Sequence, residues 1–102
     1  IRMKRDSTLS TIGLAMRAGK VVSGEFMTEG AVKSQKACLV IIARDVSDNT
    51  RKKFRNMCEF YKVPLCEYST KDELGHSLGK EFRASLAVTD KGFAQTILKK
   101  MD

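Results

Sequence analysis

The sequence predicts an α/β protein, with helices alternating with short strands in a layered α/β/α domain around one central sheet. Three observations carry that expectation. Apolar residues recur at helical spacing in several segments, each bounded by a capping residue and a glycine or proline. Between them stands "ACLVIIA", Ala37 to Ala43, an unbroken apolar run of strand length, as expected of a strand covered on both faces. Helix and strand patterns then alternate through the chain with no repeat, linker or low-complexity tract, which points to layers around one sheet.

The first helix is expected over Ser7 to Gly19, "STLSTIGLAMRAG". Leu9, Ile12, Gly13 and Met16 share one face; Ser7 can cap the start, and Gly19 can close the end in a left-handed conformation. Lys20 to Val22 reads as a short strand. Ser23 is the expected N-cap of a second helix running to about Gln35, and Gly30 interrupts that helix. A mid-helix glycine costs about 1 kcal/mol relative to alanine. Either close packing against a neighbour or a surface that needs no side chain has to account for it.

After the apolar strand, Ser47 caps a third helix, "DNTRKKFRNMCEFY", with Phe54, Met57, Cys58 and Tyr61 as its buried stripe. Pro64 cannot continue that helix, and "LCEY" suits a short strand. Thr70-Lys71-Asp72-Glu73 has the form of a capping box and opens a fourth helix. That helix turns Leu74 and Leu78 inward and ends near Gly79. "ASLAVT", Ala84 to Thr89, is the last strand. A fifth helix from about Lys91 to Met101 offers Phe93, Ala94, Ile97, Leu98 and Met101 to the core.

A length of 102 residues suits one domain spanning 1–102, and a hydrophobic share of 42% is enough for a core. Residues 1–6 are expected to form a flexible basic arm. No run of eighteen apolar residues is present, which excludes an ordinary membrane span. The basic start "IRMKRDSTLS" has no apolar segment behind it, so it does not read as a secretory signal. Cys38, Cys58 and Cys66 form neither a CxxC pair nor a metal spacing, and read as reduced thiols of a cytoplasmic protein. Cys38 and Cys58 belong to apolar patterns, which leaves Cys66 as the candidate for a reactive thiol.

An enzyme finds no support in these residues. His76 stands without a nucleophile or metal partner near it in sequence, and the phosphate-loop, dinucleotide-binding, HExxH and GxSxG motifs are all absent. No cofactor is expected. The charge balance is more informative: 19 Lys and Arg against 12 Asp and Glu give +7, which favours a polyanionic partner.

Two stretches can serve such a partner. In "VVSGEFMTEG", Val21 to Gly30, a helix begins at Ser23-Gly24-Glu25. A helix N-terminus offers unpaired N–H groups and partial positive charge, which together hold phosphate. Gly24 has no Cβ and lets a sugar-phosphate backbone come near, Lys20 and Lys33 add charge, and Glu25 can accept from a base edge. The plainer reading is that Ser caps, Gly relaxes the turn and Glu favours the dipole. In "LGHSLGKEFRASLAV", Phe82 and Arg83 have no place in the core pattern, and an exposed aromatic beside arginine suits base stacking. Its plainer reading is that Phe82 covers the end of the sheet. Arg51, Lys52, Lys53 and Arg55 read as the solvated face of the third helix.

With these stretches in place, the chain resembles the ribosomal kink-turn-binding proteins, the seven-Ae/thirty-e family, and within it a small bacterial YlxQ-like branch. The resemblance spans roughly Ser7 to Met101 and rests on "GLAMRAGKVVSG", "ACLVIIARDVSDNTRKK" and "ELGHSLGK…AVTDKGFA" in that order and spacing. It implies a three-layer α/β/α sandwich with a mixed four-stranded sheet, and a non-enzymatic protein bound to structured RNA, ribosomal RNA included. In that family a Gly-x-Asn-Glu helix start and the loop before the last strand together grip a sharply bent RNA. The helix start reads sheared G·A pairs, and the loop packs on bases flipped from the bulge.

Carried over, the helix start falls on Gly24, Glu25, Phe26 and Met27, with Lys20 before it, and the loop on Glu81, Phe82, Arg83 and Ala84. The chain departs from the pattern in having Phe26-Met27 for Asn-Glu and Gly30 for a lysine one turn later. Guanine-reading side chains are therefore missing while the phosphate-accepting backbone is kept. The alternative is a protein-interaction module that kept the fold, with a partner docking on Phe26 and Met27; exposure of these two side chains favours it.

Overall fold

The computed structural model describes residues 6–101. Its elements are α1 (Ser7–Arg17), β1 (Val21–Ser23), α2 (Glu25–Lys33), β2 (Leu39–Ile42), α3 (Asp48–Tyr61), β3 (Leu65–Glu67), α4 (Lys71–Ser77), β4 (Ser85–Val88) and α5 (Lys91–Met101). The strands form one sheet in the order β1-β4-β2-β3. β4 is antiparallel to both neighbours, and β2 pairs parallel with β3. It follows that β1, β2 and β3 all end at the edge where β4 begins. α1 packs with α4 and α5, and α2 with α3, so the sheet lies between two helical layers. This is the three-layer α/β/α sandwich with a mixed sheet.

The two central strands explain the apolar runs. Every residue of β2 and β4 is buried, including Ser85, whose hydroxyl meets that of Thr28 at 3.4 Å. Ile12, Val32, Phe54, Leu74 and Ile97 each turn a fully buried side chain toward the core from a different helix. Burial pushes the Cys58 thiol up to about 11, so it stays protonated and inert. Among the described residues, no helix is long and apolar enough to cross a membrane.

Two helix starts differ from the sequence expectation. Asp6, not Ser7, caps α1: its Oδ1 accepts the Leu9 N–H at 3.0 Å, and the Tyr68 hydroxyl donates to the same carboxylate at 2.8 Å. A carboxylate both accepts the N–H and complements the helix dipole, and a second element holds it in place. Asp6 is therefore part of the folded structure, and the rest of the arm expected over 1–6 lies outside the described residues. At α2 the cap is Gly24, not Ser23, which closes β1 instead. Gly24 sits at φ +92°, a conformation that favours glycine over any side chain.

Ser47 and Thr70 do cap their helices, accepting the N–H groups of Thr50 and Glu73 at 3.1 Å each. Gly30 meets open space, since a Cβ added there finds no atom within 4 Å. Close packing does not account for it.

Candidate nucleic-acid interface

The sheet edge where β1 ends and β4 begins joins the two stretches singled out in the sequence. Ser23 pairs with Leu86 across the ladder, and the Gly24 N–H donates to the Ser85 carbonyl at 2.9 Å. Sixty residues from Ser23 in sequence, Arg83 donates from Nε to the Ser23 hydroxyl at 2.9 Å. The same guanidinium donates from Nη1 to the Phe82 carbonyl at 2.7 Å. Arg83 thus clamps the loop to the helix start. The Ala84 carbonyl accepts the Ala43 N–H at 2.9 Å, which fixes the end of the loop to β2.

Below this loop lies a residue that the sequence reading passed over. A Cβ on Gly75 would come within 2.6 Å of the Glu81 carbonyl oxygen and 2.8 Å of the Phe82 Cα. Only glycine lets the loop backbone rest on α4 at that distance. The signal was available: a glycine inside the short helix of "ELGHS" carries the same propensity cost that drew attention to Gly30.

The backbone donors of α2 are displaced from where the sequence put them. The Gly24 N–H is committed to Ser85, and the Gly24 carbonyl accepts the Thr28 N–H at 2.9 Å. No side chain among the described residues caps this helix. Among the described residues, the N–H groups of Glu25, Phe26 and Met27 have no acceptor. Three unpaired donors and the positive end of the helix dipole therefore open at this edge. Around them stand exposed apolar side chains: Phe26 is 84% exposed, Met27 51% and Phe82 59%.

Charged residues are arranged less simply. Lys53 Nζ reaches Glu25 at 2.8 Å and Glu29 at 3.4 Å, and Lys33 pairs with Glu29 at 3.3 Å. This alternating row of two lysines and two glutamates binds α2 to α3 and cancels its own charge. The hydrogen bond from Lys33 is the main influence holding the Glu29 carboxyl below its ordinary range, helped by the charges of Lys33 and Lys53 against some desolvation. Lys53 is held above its ordinary range, chiefly by its hydrogen bond to Glu25. Glu25 thus faces α3, with its carboxylate already occupied by a cation.

Lys20 and Lys33 are not brought to the helix start. The Lys20 carbonyl accepts the Thr89 N–H at 2.8 Å, just past the Val21–Val88 pair, at the opposite end of the strand. A strand rise of about 3.3 Å per residue leaves about 13 Å between Lys20 and Gly24. Lys33 ends α2, about 12 Å along the axis from Glu25. Glu81 is exposed on the loop, and Arg51 is spent on Asp48, Glu67 and the Arg44 carbonyl. Among the described residues, no group of three or more His, Cys, Asp or Glu can hold a metal ion.

The fold and this edge define an α/β/α protein with a composite surface, made of an uncapped helix N-terminus and a clamped loop carrying an exposed aromatic. Residues 6–98 match the ribosomal protein L7Ae/L30e/S12e/Gadd45 family, and the chain belongs to that family. It is 44% identical to the RNA-binding protein YlxQ of Bacillus subtilis (strain 168), covering 89% of this chain and 91% of that protein. Identity to the RNA-binding protein YlxQ of Enterococcus faecium is 38%, over 89% and 87% of the two chains. A solved structure of a Bacillus halodurans protein of unknown function superposes with a TM-score of 0.92 at 32% identity, covering 96% of this chain and 99% of that one. The chain accordingly falls in the bacterial YlxQ-like branch of the family.

Proposed function

We propose that this protein is a non-enzymatic, cytoplasmic RNA-binding protein that grips a bent, structured RNA at the α2 start and the α4–β4 loop, in association with the ribosome. One observation carries the reading: Arg83 joins two segments sixty residues apart into a single surface with unpaired N–H donors and exposed aromatics. The Glu25, Phe26 and Met27 N–H groups receive a phosphate. Phe26 and Phe82 stack on unpaired bases, and this replaces the hydrogen-bonded guanine readout that Asn-Glu gives elsewhere in the family. Relatives named RNA-binding proteins support the reading.

The exposure of Phe26 and Met27 favours a second reading. With Val22, Ala31 and the open space at Gly30, they border an apolar depression of about 250 Å³, which also suits a protein partner. Binding to a kink-turn RNA and to a plain duplex of equal length, followed across a salt series, separates the two. Preference for the bent RNA that persists at high salt is the expected result. Equal, salt-sensitive binding to both indicates a generic basic surface. Absence of binding to either transfers the site to a protein partner.

A further inference from the structure

A second concavity lies on the other helical layer, between α1 and α4, and of the residues in the RNA reading it takes in only Glu81 and Phe82. It is an open groove of about 1180 Å³, reaching from Asp6 past Leu14 to the Phe82 loop. Gly13 lets the two helices close on one another, since a Cβ there would stand 2.9 Å from the Ser77 carbonyl. Leu14 lines the groove from α1 and is 52% exposed, although it sits in the middle of a helix.

The charges of the groove are ordered. The Tyr68–Asp6 bond sets the start of α1 beside the start of α4, and the Gly13–Ser77 approach sets their later turns together. Asp6, Asp72 and Glu73 therefore gather at one end, and Arg17 and Lys80 follow at the other. With Glu81 on the loop, four carboxylates and two cations line the groove among the described residues, and Lys100 stands by the α1 start on the Ser7 hydroxyl, on a chain whose net charge is +7. Phosphates are repelled from such a surface, whereas a helix with basic residues at its N-terminal end is matched twice. Its side chains and the positive end of its dipole meet the carboxylates, and its last carbonyls meet Arg17 and Lys80.

We infer that the α1–α4 groove docks an amphipathic helix of a protein partner, laid with its basic N-terminal half against Asp6, Asp72 and Glu73 and its apolar face on Leu14. Asp6 to Arg17 spans about 16 Å, enough for about three helical turns of such a partner. The groove shares Glu81 and Phe82 with the RNA surface, but Asp6, Leu14 and Asp72 stand on the other helical layer from the α2 start, so the inference does not depend on the RNA reading.

The test is selection of peptides about 16 residues long, from a random display library, on the intact chain. Enriched peptides should carry apolar residues three and four apart, with Lys and Arg in the N-terminal half. Their affinity should fall at least tenfold on Leu14→Glu and on the surface variant Asp72→Lys, with circular dichroism unchanged. Both variants should bind the kink-turn RNA within twofold of the parent. Enriched peptides that bind both variants like the parent, or that lack the basic N-terminal half, overturn the inference. So does loss of RNA binding in a folded Leu14→Glu chain, which assigns the groove to RNA.

Discussion

At one end of the central sheet, where β1 finishes and β4 begins, the chain spends backbone geometry: Gly24 at positive φ, three N–H groups without acceptors, and a loop clamped by Arg83. At the other end stand the exposed lysines Lys20 and Lys36, near Thr89, where Lys36 and Thr89 border the depression that Phe26 and Met27 also line. The first end has shape and few uncommitted cations; the second has charge and little shape. Long-range attraction of a polyanion draws on charge from anywhere on the surface. In the proposed reading, discrimination between a bent and a straight RNA rests on the built end. The two contributions should therefore separate under mutation.

The largest effect should come from Gly75→Val. Its side chain collides with the Glu81 and Phe82 backbone, so the loop lifts from α4 and the surface comes apart. Affinity for the bent RNA should drop roughly a hundredfold, as stacking worth about 1–3 kcal/mol per base is lost together with the loop's positioning. Thermal stability should fall too, and unchanged affinity in a folded variant would remove the loop from the site. Phe26→Ala and Phe82→Ala should each cost about tenfold by the same stacking estimate, with little change in salt slope. If only Phe82→Ala weakens RNA binding, Phe26 belongs to the protein-partner reading.

Arg83→Ala comes next, at about fivefold, because it loses the clamp to Ser23 while the Gly24–Ser85 and Ala43–Ala84 bonds persist. Lys20→Ala should change affinity less than about twofold and the salt slope by less than about one ion. A larger loss would show that the far end of β1 carries a specific phosphate contact.

The smallest expected effect concerns the charged row between α2 and α3. Glu29 titrates below its ordinary range when folded, so the stabilisation from its ion pairs is present above that range and is lost as the pH falls through the folded value. In Lys53→Ala one neighbouring cation is gone, and the Glu29 midpoint, followed by carboxyl NMR, should move up toward the ordinary range. A midpoint that stays in place leaves Lys33 as its sole determinant.

Much of the fold was readable because apolar period and capping are local properties. "ACLVIIA" contained a fully buried strand, and Ser47 and Thr70 mark the starts of α3 and α4 in the sequence itself. The errors were also local: at Asp6 and Gly24 the choice of cap was decided by contacts to Tyr68 and Ser85, far away in the chain. Candidate site residues were singled out by type, and their positions relative to one another came only from tertiary pairing. Arg83 reads as a free cation in sequence and acts as a clamp. Lys20 lies three residues before Ser23 and still falls at the wrong end of the strand. Gly75 matters through a backbone contact that no spacing rule contains.

The central claim is that the α2 start and the α4–β4 loop form one RNA surface, and amide NMR of the labelled chain titrated with a kink-turn RNA tests it most directly. The strongest shifts should fall together on residues 23–28 and 80–85, while Lys20, Lys33, Lys36 and the helical walls of the α1–α4 groove, from Asp6 to Arg17 and from Asp72 to Ser77, stay close to their unbound positions. Shifts centred on the Lys20 end, or on only one of the two segments, would contradict it.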